Sequence, residues 1–351
     1  PGEPENREGK ANHRTHYLRL NAGSNIHLDG TGVKVMLNDD GPIRPHIDFH
    51  NRIDDQGFVD YGSHGDHCGG TINAAGNLEP RGEGNAPGAW LRVYNYTTNP
   101  ASPDGFFSFP GSYVNDSIVI TSNSYSNGCN SGYNFLAQYL DGTVRTHKGL
   151  MHVFSAGNSG SSNCSYGAGS GWGNITGGHK VGKNVIAVGN VQKSDALAGS
   201  SSRGPAHDGR IKPDVCAVGT SVYSTYDNSS QYASLTGTSM ACPGVAGAMA
   251  VMHEGYRALN NDQIPHSGLL KGILMNTAED LGNSGPDYRY GYGRINIRRA
   301  YESIQNNWYL YDSLDQGNTK TYTITVPQGL REVRIMLYWH DIPAQQNASR
   351  A

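Results

Sequence analysis

The sequence predicts an α/β fold in which helices flank a parallel sheet, followed by the first strands of an incomplete all-β domain of the jelly-roll kind. Three observations carry this. Between residues 32 and 305, strand-like runs rich in β-branched and apolar residues alternate with helix signals, the pattern of a parallel sheet with crossover connections. Two of those runs lead into Asp39 and Asn158, polar groups of the kind that gather at the carboxyl ends of strands in open sheets. After Asn306 the pattern switches to apolar/polar alternation, the mark of half-buried strands. The chain thus divides into an N-terminal surface segment, 1–31, an α/β domain, 32–305, and the start of a β domain, 306–351.

In chain order, residues 1–31 are polar and irregular apart from a short helix signal at Tyr17–Leu20. Gly32–Asn38 reads as a strand that ends on Asp39-Asp40-Gly41. Ser63 is placed to cap a helix beginning at His64, whose glycines permit close packing. Strands follow at Trp90–Tyr94 and Ile118–Ser122, a helix at Phe135–Val144, and strands at Met151–Ser155 and Asn184–Gly189. Pro213–Val218 is a further strand, leading to a hairpin whose turn lies near Asp227-Asn228. From Gly244 to Leu259 the chain is apolar or small on nearly every side, which predicts a helix buried in a sizeable core. Pro243 falls in its first turn, where few N–H groups have helical partners. Helices at Ser267–Ala278 and Ile297–Ile304 complete the domain, and Thr319–Val326 and Arg331–Trp339 read as strands too few to bury a core of their own.

Composition narrows the function. The 351 residues bury an ample core without staples. With 27 basic against 30 acidic residues, nothing favours nucleic acid or an anionic membrane as partner. No run of about 18 apolar residues occurs, so no membrane span is expected. The 47 glycines and the low charge content lean toward a tightly turned extracellular protein. Five cysteines are an odd number, so at least one stays free or pairs outside the chain.

Gly237-Thr238-Ser239-Met240-Ala241-Cys242-Pro243 places a serine hydroxyl at the N-terminus of the buried helix, where free backbone N–H groups and the positive dipole end can stabilise an oxyanion. Amide hydrolysis by serine needs a base within reach of the hydroxyl, a carboxylate to hold that base, and donors for the oxyanion. Ser239, His64, Asp39 and Asn158 supply one of each. The chain order Asp, His, Ser is the order found in subtilisin.

The local motifs are more specific than the order. Gly237–Pro243 and Ser63-His64-Gly65-Asp66-His67-Cys68-Gly69-Gly70 closely resemble the serine and histidine motifs of the subtilases, the subtilisin-like serine peptidases. Asp39-Asp40-Gly41 resembles the aspartate motif in its kexin and furin form, and Ser155-Ala156-Gly157-Asn158 resembles the segment with the oxyanion-hole asparagine. The resemblance runs from about Gly30 to Ile304 and implies a subtilisin-like sheet. It implies a serine endopeptidase that cleaves extended protein segments through an acyl-enzyme, with Ser239 as nucleophile, His64 as general base, Asp39 as its orienting carboxylate and Asn158 in the oxyanion hole.

Other expectations also rest on the resemblance. Ser124-Tyr125-Ser126 stands where subtilases pair an edge strand with substrate, although Ser126 replaces the usual glycine, and Ala156 and Gly157 line the same cleft. Cys129 and Cys164 fall in loops near that cleft, as a disulfide or as two unpaired thiols, and Cys68 is a free thiol beneath the histidine. His64, His67 and Cys68 offer too few ligands for zinc. No cofactor is required for the chemistry. Structural calcium is a family habit, and Asp48, Asp54, Asp55 and Asp60 form an acidic loop without a fixed ligand spacing, so the metal ligands stay unknown. Asp40 is either a neighbour of Asp39 or an acidic wall for basic substrates. Leu337-Tyr338-Trp339-His340-Asp341 resembles the start of the β-sandwich that follows the catalytic domain in kexins. Partners implied are protein or peptide substrates and the remaining C-terminal fragment of the same precursor, cut after Ala351 and still bound. The location implied is secreted, periplasmic or on the cell surface. The second enzyme reading is a processing peptidase of restricted sequence preference, and the non-enzyme reading is a binding protein on a dead subtilase fold.

Overall fold

The computed structural model describes residues 6–20, 26–56, 62–96, 109–126, 128–129, 132–165, 168–175, 177–227 and 230–346. Seven parallel strands form one sheet: β1 (Lys34–Asp39), β2 (Ile53–Asp55), β3 (Trp90–Asn95), β4 (Ile118–Asn123), β5 (Met151–Ser155), β6 (Ile186–Val191) and β7 (Val215–Val218), in the order β2-β3-β1-β4-β5-β6-β7. β1 pairs with β3 on one side and β4 on the other. The strand order therefore reverses at β1, and its carboxyl end opens the crevice where ligands bind in such sheets. Asp39 is the last residue of β1.

Strand side chains alternate between two cores. Val35 and Leu37 join Ile120, Val153 and Val188 on one face, against α6 (Thr238–Leu259), while Met36 joins Leu136, Leu140 and Phe154 on the other, against α5 (Phe135–Thr146). α6 is buried from Thr238 to Gly255 apart from Ser239 and Glu254, which agrees with its all-round small and apolar sequence. α3 (His64–Asn73) lies between α6 and the hairpin of β8 (Val222–Thr225) and β9 (Tyr232–Leu235). A Cβ at Gly70 would meet the Thr225 and Ser224 hydroxyls at 2.0 and 2.5 Å, so this hairpin packs only against a glycine. α7 (Ser267–Asn276) and α8 (Ile297–Gln305) close the α6 side.

Among the described residues, two α-helices and one strand escape the sequence reading. α1 (Asn6–His13), the strand β2 and α4 (Phe109–Asp116) are short and weakly patterned, and α1 is held by tertiary contact: the buried His13 ring accepts the Val218 N–H at 2.8 Å. The helix signal near Tyr17 corresponds to α2 (Thr15–Arg19).

Residues 308–346 contain neither of the two expected strands. The alternation survives in an unexpected sense. Val333, Ile335, Leu337 and Trp339 point outward, Leu337 at 81% exposure, while Met336, Tyr338 and His340 are half-buried against the domain. Met336 packs on the core, the Lys271 ammonium lies over the Tyr338 ring at 5.2 Å, and the His340 ring lies tilted against His266 at 4.4 Å. Polar anchors at Lys271, Ser267 and Asn184 pull one face inward, and the backbone groups find no neighbouring strand to complete a ladder.

Candidate active site

Four chain ends converge at the crevice. Asp39, fully buried at the end of β1, accepts a 2.5 Å hydrogen bond from His64 Nδ1 at the first residue of α3. Burial opposes a charge on His64, but the Asp39 carboxylate outweighs it, and the imidazole pKa is held above its ordinary value. The bond through Nδ1 leaves Nε2 as the nitrogen available for a serine.

Ser239 sits in the first turn of α6, and its hydroxyl donates to the Ser124 carbonyl at 3.1 Å. That bond engages the hydroxyl proton, so the hydroxyl must leave the Ser124 carbonyl before it can donate to an imidazole. Pro243 lies at the sixth helical position, beyond the first turn expected for it. Its missing N–H would have paired with the carbonyl of Ser239. That carbonyl instead accepts the Ser124 hydroxyl at 2.9 Å and the Cys68 thiol at 3.3 Å. The proline thereby frees an acceptor that ties Ser239 to the end of β4 and to the histidine helix.

Asn158 follows β5. Its Oδ1 accepts the Thr238 N–H at 2.9 Å and the Thr238 hydroxyl at 3.1 Å, which turns the Nδ2 donor toward the serine end of the helix. The Asn158 amide is thereby tied to the first residue of α6 through its oxygen, which leaves Nδ2 as its donor. Thr238, which the sequence reading passed over, is the residue that orients the amide; its position next to Ser239 was the only signal.

The remaining expected cleft residues divide. Ser124 is buried and committed to Ser239, while Ser126 is exposed. The Tyr125 ring lies between Tyr96 at 5.3 Å and His179 at 5.5 Å, an aromatic row beside the crevice of which Tyr96 and His179 gave no sequence signal. Ala156 and Gly157 donate their N–H groups to Val188 O and Thr238 Oγ1, so they hold the loop that carries Asn158. Cys129 and Cys164 are joined by a disulfide. Cys68, Cys216 and Cys242 are free and buried, and burial pushes the Cys68 thiol up to about 12 and Cys242 up to about 11, so neither offers a thiolate at neutral pH.

Among the described residues, the one group of three potential metal ligands that converges is Asp39, His64 and Cys68. Its Asp–His pair is already joined by the short hydrogen bond, and His67 turns away to the carbonyl of Val222. The described carboxylates of the acidic loop have protein partners: Asp48 accepts Asn77 N–H and Tyr232 O–H, Asp54 pairs with Arg92, and Asp55 accepts Ile43 N–H. Asp60 lies outside the described residues. No helix is long and apolar enough to cross a membrane among the described residues.

The geometry is that of a serine hydrolase, and comparison with known proteins agrees. The model of the subtilase family matches residues 30–293. Subtilisin DY of Bacillus licheniformis is 34% identical over 283 residues, 77% of this chain and 91% of that protein. Subtilisin BL of Lederbergia lenta is 33% identical over 292 residues, covering 80% and 94%, and thermitase of Thermoactinomyces vulgaris is 27% identical over 296 residues, covering 79% and 90%. On the family match and these relatives, the chain belongs to the subtilase family of serine endopeptidases.

Proposed function

We propose that Ser239 is the nucleophile of this endopeptidase, His64 its general base and then acid, and Asp39 the carboxylate that fixes the imidazole tautomer and stabilises the imidazolium. The observation that carries the assignment is the buried Asp39 carboxylate at 2.5 Å from His64 Nδ1. His64 accepts the Ser239 proton as Oγ attacks the scissile carbonyl, the carbonyl oxygen becomes an oxyanion, and the proton passes to the leaving amine as the acyl-enzyme forms. Water then repeats the sequence. A serine-directed fluorophosphonate tests the assignment: it labels Ser239 in the protein, and labelling elsewhere, or none, removes it.

Asn158 donates to the oxyanion through Nδ2. Asn158→Ala is expected to lower kcat by about 10²- to 10³-fold, the scale known for the corresponding donor in subtilisin, with KM little changed. A loss expressed in KM alone would assign Asn158 to ground-state binding instead.

Extended peptides are the proposed substrates, laid along the segment Ser124 to Ser126, whose backbone can pair with a strand. Broad cleavage is favoured over a kexin-like restriction, because both carboxylate oxygens of Asp40 are engaged by backbone N–H groups. Digestion of a denatured proteome, with sites read by mass spectrometry, distinguishes the two: cuts confined to pairs of basic residues would reverse the choice. The protein is proposed to act outside the cell, with no cofactor in the chemistry. Residues 306–351 are proposed as the start of a β domain, on the strength of the outward row Val333, Ile335, Leu337 and Trp339.

A further inference from the structure

A helix that begins at the base of a catalytic centre leaves its first N–H groups without partners, and the usual remedy is the side chain just before it. At α3 that remedy fails. Ser63, which the sequence places as the cap, makes no capping hydrogen bond. Its hydroxyl accepts from Arg44 Nη1 at 3.0 Å, and Arg44 is held in turn by Asp66 at 2.6 Å. The cap comes from elsewhere in the chain. Asp40 Oδ2 accepts the His64 N–H at 3.1 Å and Oδ1 accepts the Gly65 N–H at 2.7 Å. Asp40 as a residue is only 8% exposed, and both its carboxylate oxygens are taken by backbone N–H groups, which leaves it too enclosed to serve as an open acidic wall.

The local sequence is shaped to admit it. A Cβ at Gly62 would meet Asp40 Oδ2 at 2.5 Å, and one at Gly65 would meet Oδ1 at 3.1 Å and Asp39 Cβ at 3.3 Å. Glycines at 62 and 65, on either side of the pair Ser63-His64, leave the space the carboxylate enters. The Asp40 N–H also donates to Asp39 Oδ1 at 2.9 Å, the same oxygen that accepts His64 Nδ1. Two adjacent residues at the end of β1 therefore grip His64 at both ends: Asp39 takes the ring and Asp40 takes the main chain.

We infer that Asp40 is a positioning residue for the general base, fixing the backbone of His64 relative to Asp39 so that the imidazole meets Ser239. The inference rests on the assignment of His64 as base. A negative charge at a helix N-terminus also favours the cap, but the role proposed is geometric: a displacement of about 1 Å in a catalytic group costs up to about 10²-fold in rate. The charged and titratable groups facing the imidazole, Asp39 from β1, Cys68 and His67 from α3 and Tyr96 after β3, remain in place when Asp40 is replaced.

The test compares Asp40→Ala and Asp40→Asn on two chromogenic peptides that differ only in a neutral residue or a lysine before the scissile residue. Asp40→Ala is expected to lower kcat by about 10- to 100-fold on both peptides, with KM within about twofold. Asp40→Asn, which keeps an oxygen acceptor for the helix, is expected to recover kcat to within about fivefold of the parent, a rescue that simple loss of stability in a folded sample does not produce. If the alanine variant does not fold, Asp40→Ser, with one short acceptor, takes its place and falls between asparagine and the loss predicted for alanine. Parent-like kcat in the alanine variant, an equal loss in the asparagine variant, or a loss seen only as raised KM on the lysine peptide would each overturn the inference. Fluorophosphonate labelling of the parent protein is run alongside: if Ser239 is not labelled, the serine–histidine assignment fails by itself, whereas labelling of the parent with unchanged Asp40 variants removes only the role of Asp40.

Discussion

Alanine at position 239 is expected to lower kcat/KM by about 10⁴- to 10⁶-fold and to abolish fluorophosphonate labelling, while the protein melts within a few degrees of the parent. The contrast follows from what the side chain does. Its hydroxyl makes one hydrogen bond, to Ser124 O, at the edge of the crevice. The contacts that hold the residue in place use its backbone carbonyl, which accepts from Ser124 Oγ and Cys68 Sγ and is unaltered by the substitution. Alanine is also well tolerated in a helix. Residual activity comes from the oxyanion donors and binding alone. Retention of a tenth or more of parent turnover would show that the nucleophile lies elsewhere.

Asp39→Asn is expected to lower kcat by about 10³- to 10⁴-fold and to move the pH profile. An amide beside Nδ1 no longer demands a donor there, so the imidazole loses its fixed tautomer. It also loses the charge that raises its pKa. Since His64 must be neutral to act as base, activity of the parent rises with pH through a value above the ordinary 6.5. In the asparagine variant the residual activity should rise at a lower pH, because burial then acts unopposed. The sign for stability is the reverse. A histidine whose folded pKa is raised stabilises the fold fully below about 6.5, and that contribution is lost as pH rises through the folded value. Replacing Asp39 therefore costs more melting temperature at pH 5 than at high pH. Inflections of kcat/KM that coincide in parent and variant would refute the coupling between the two side chains.

Much of the fold was legible because its signals are local. β5 starts and ends where the pattern of Met151–Ser155 says it does, and α6 follows from a stretch with no polar face. What was missed depended on partners distant in sequence. α1 docks through His13 on β7, and the C-terminal strands need neighbours that residues 308–346 do not provide. The capping rule placed Ser63 correctly at the start of α3, yet Arg44 captures its hydroxyl and Asp40 takes over the cap.

By itself the sequence determined on which elements the proposed catalytic groups ride: a carboxylate at a strand end, an imidazole opening one helix and a hydroxyl in the first turn of another. Tertiary structure decided how they are held. Asp40 became a cap, Thr238 became the anchor of Asn158, and Pro243 freed the Ser239 carbonyl for Cys68 and Ser124. The physical reason is that identity and local conformation are properties of neighbouring residues. Which donor meets which acceptor is settled only when buried polar groups from different segments compete for the partners that packing brings within reach.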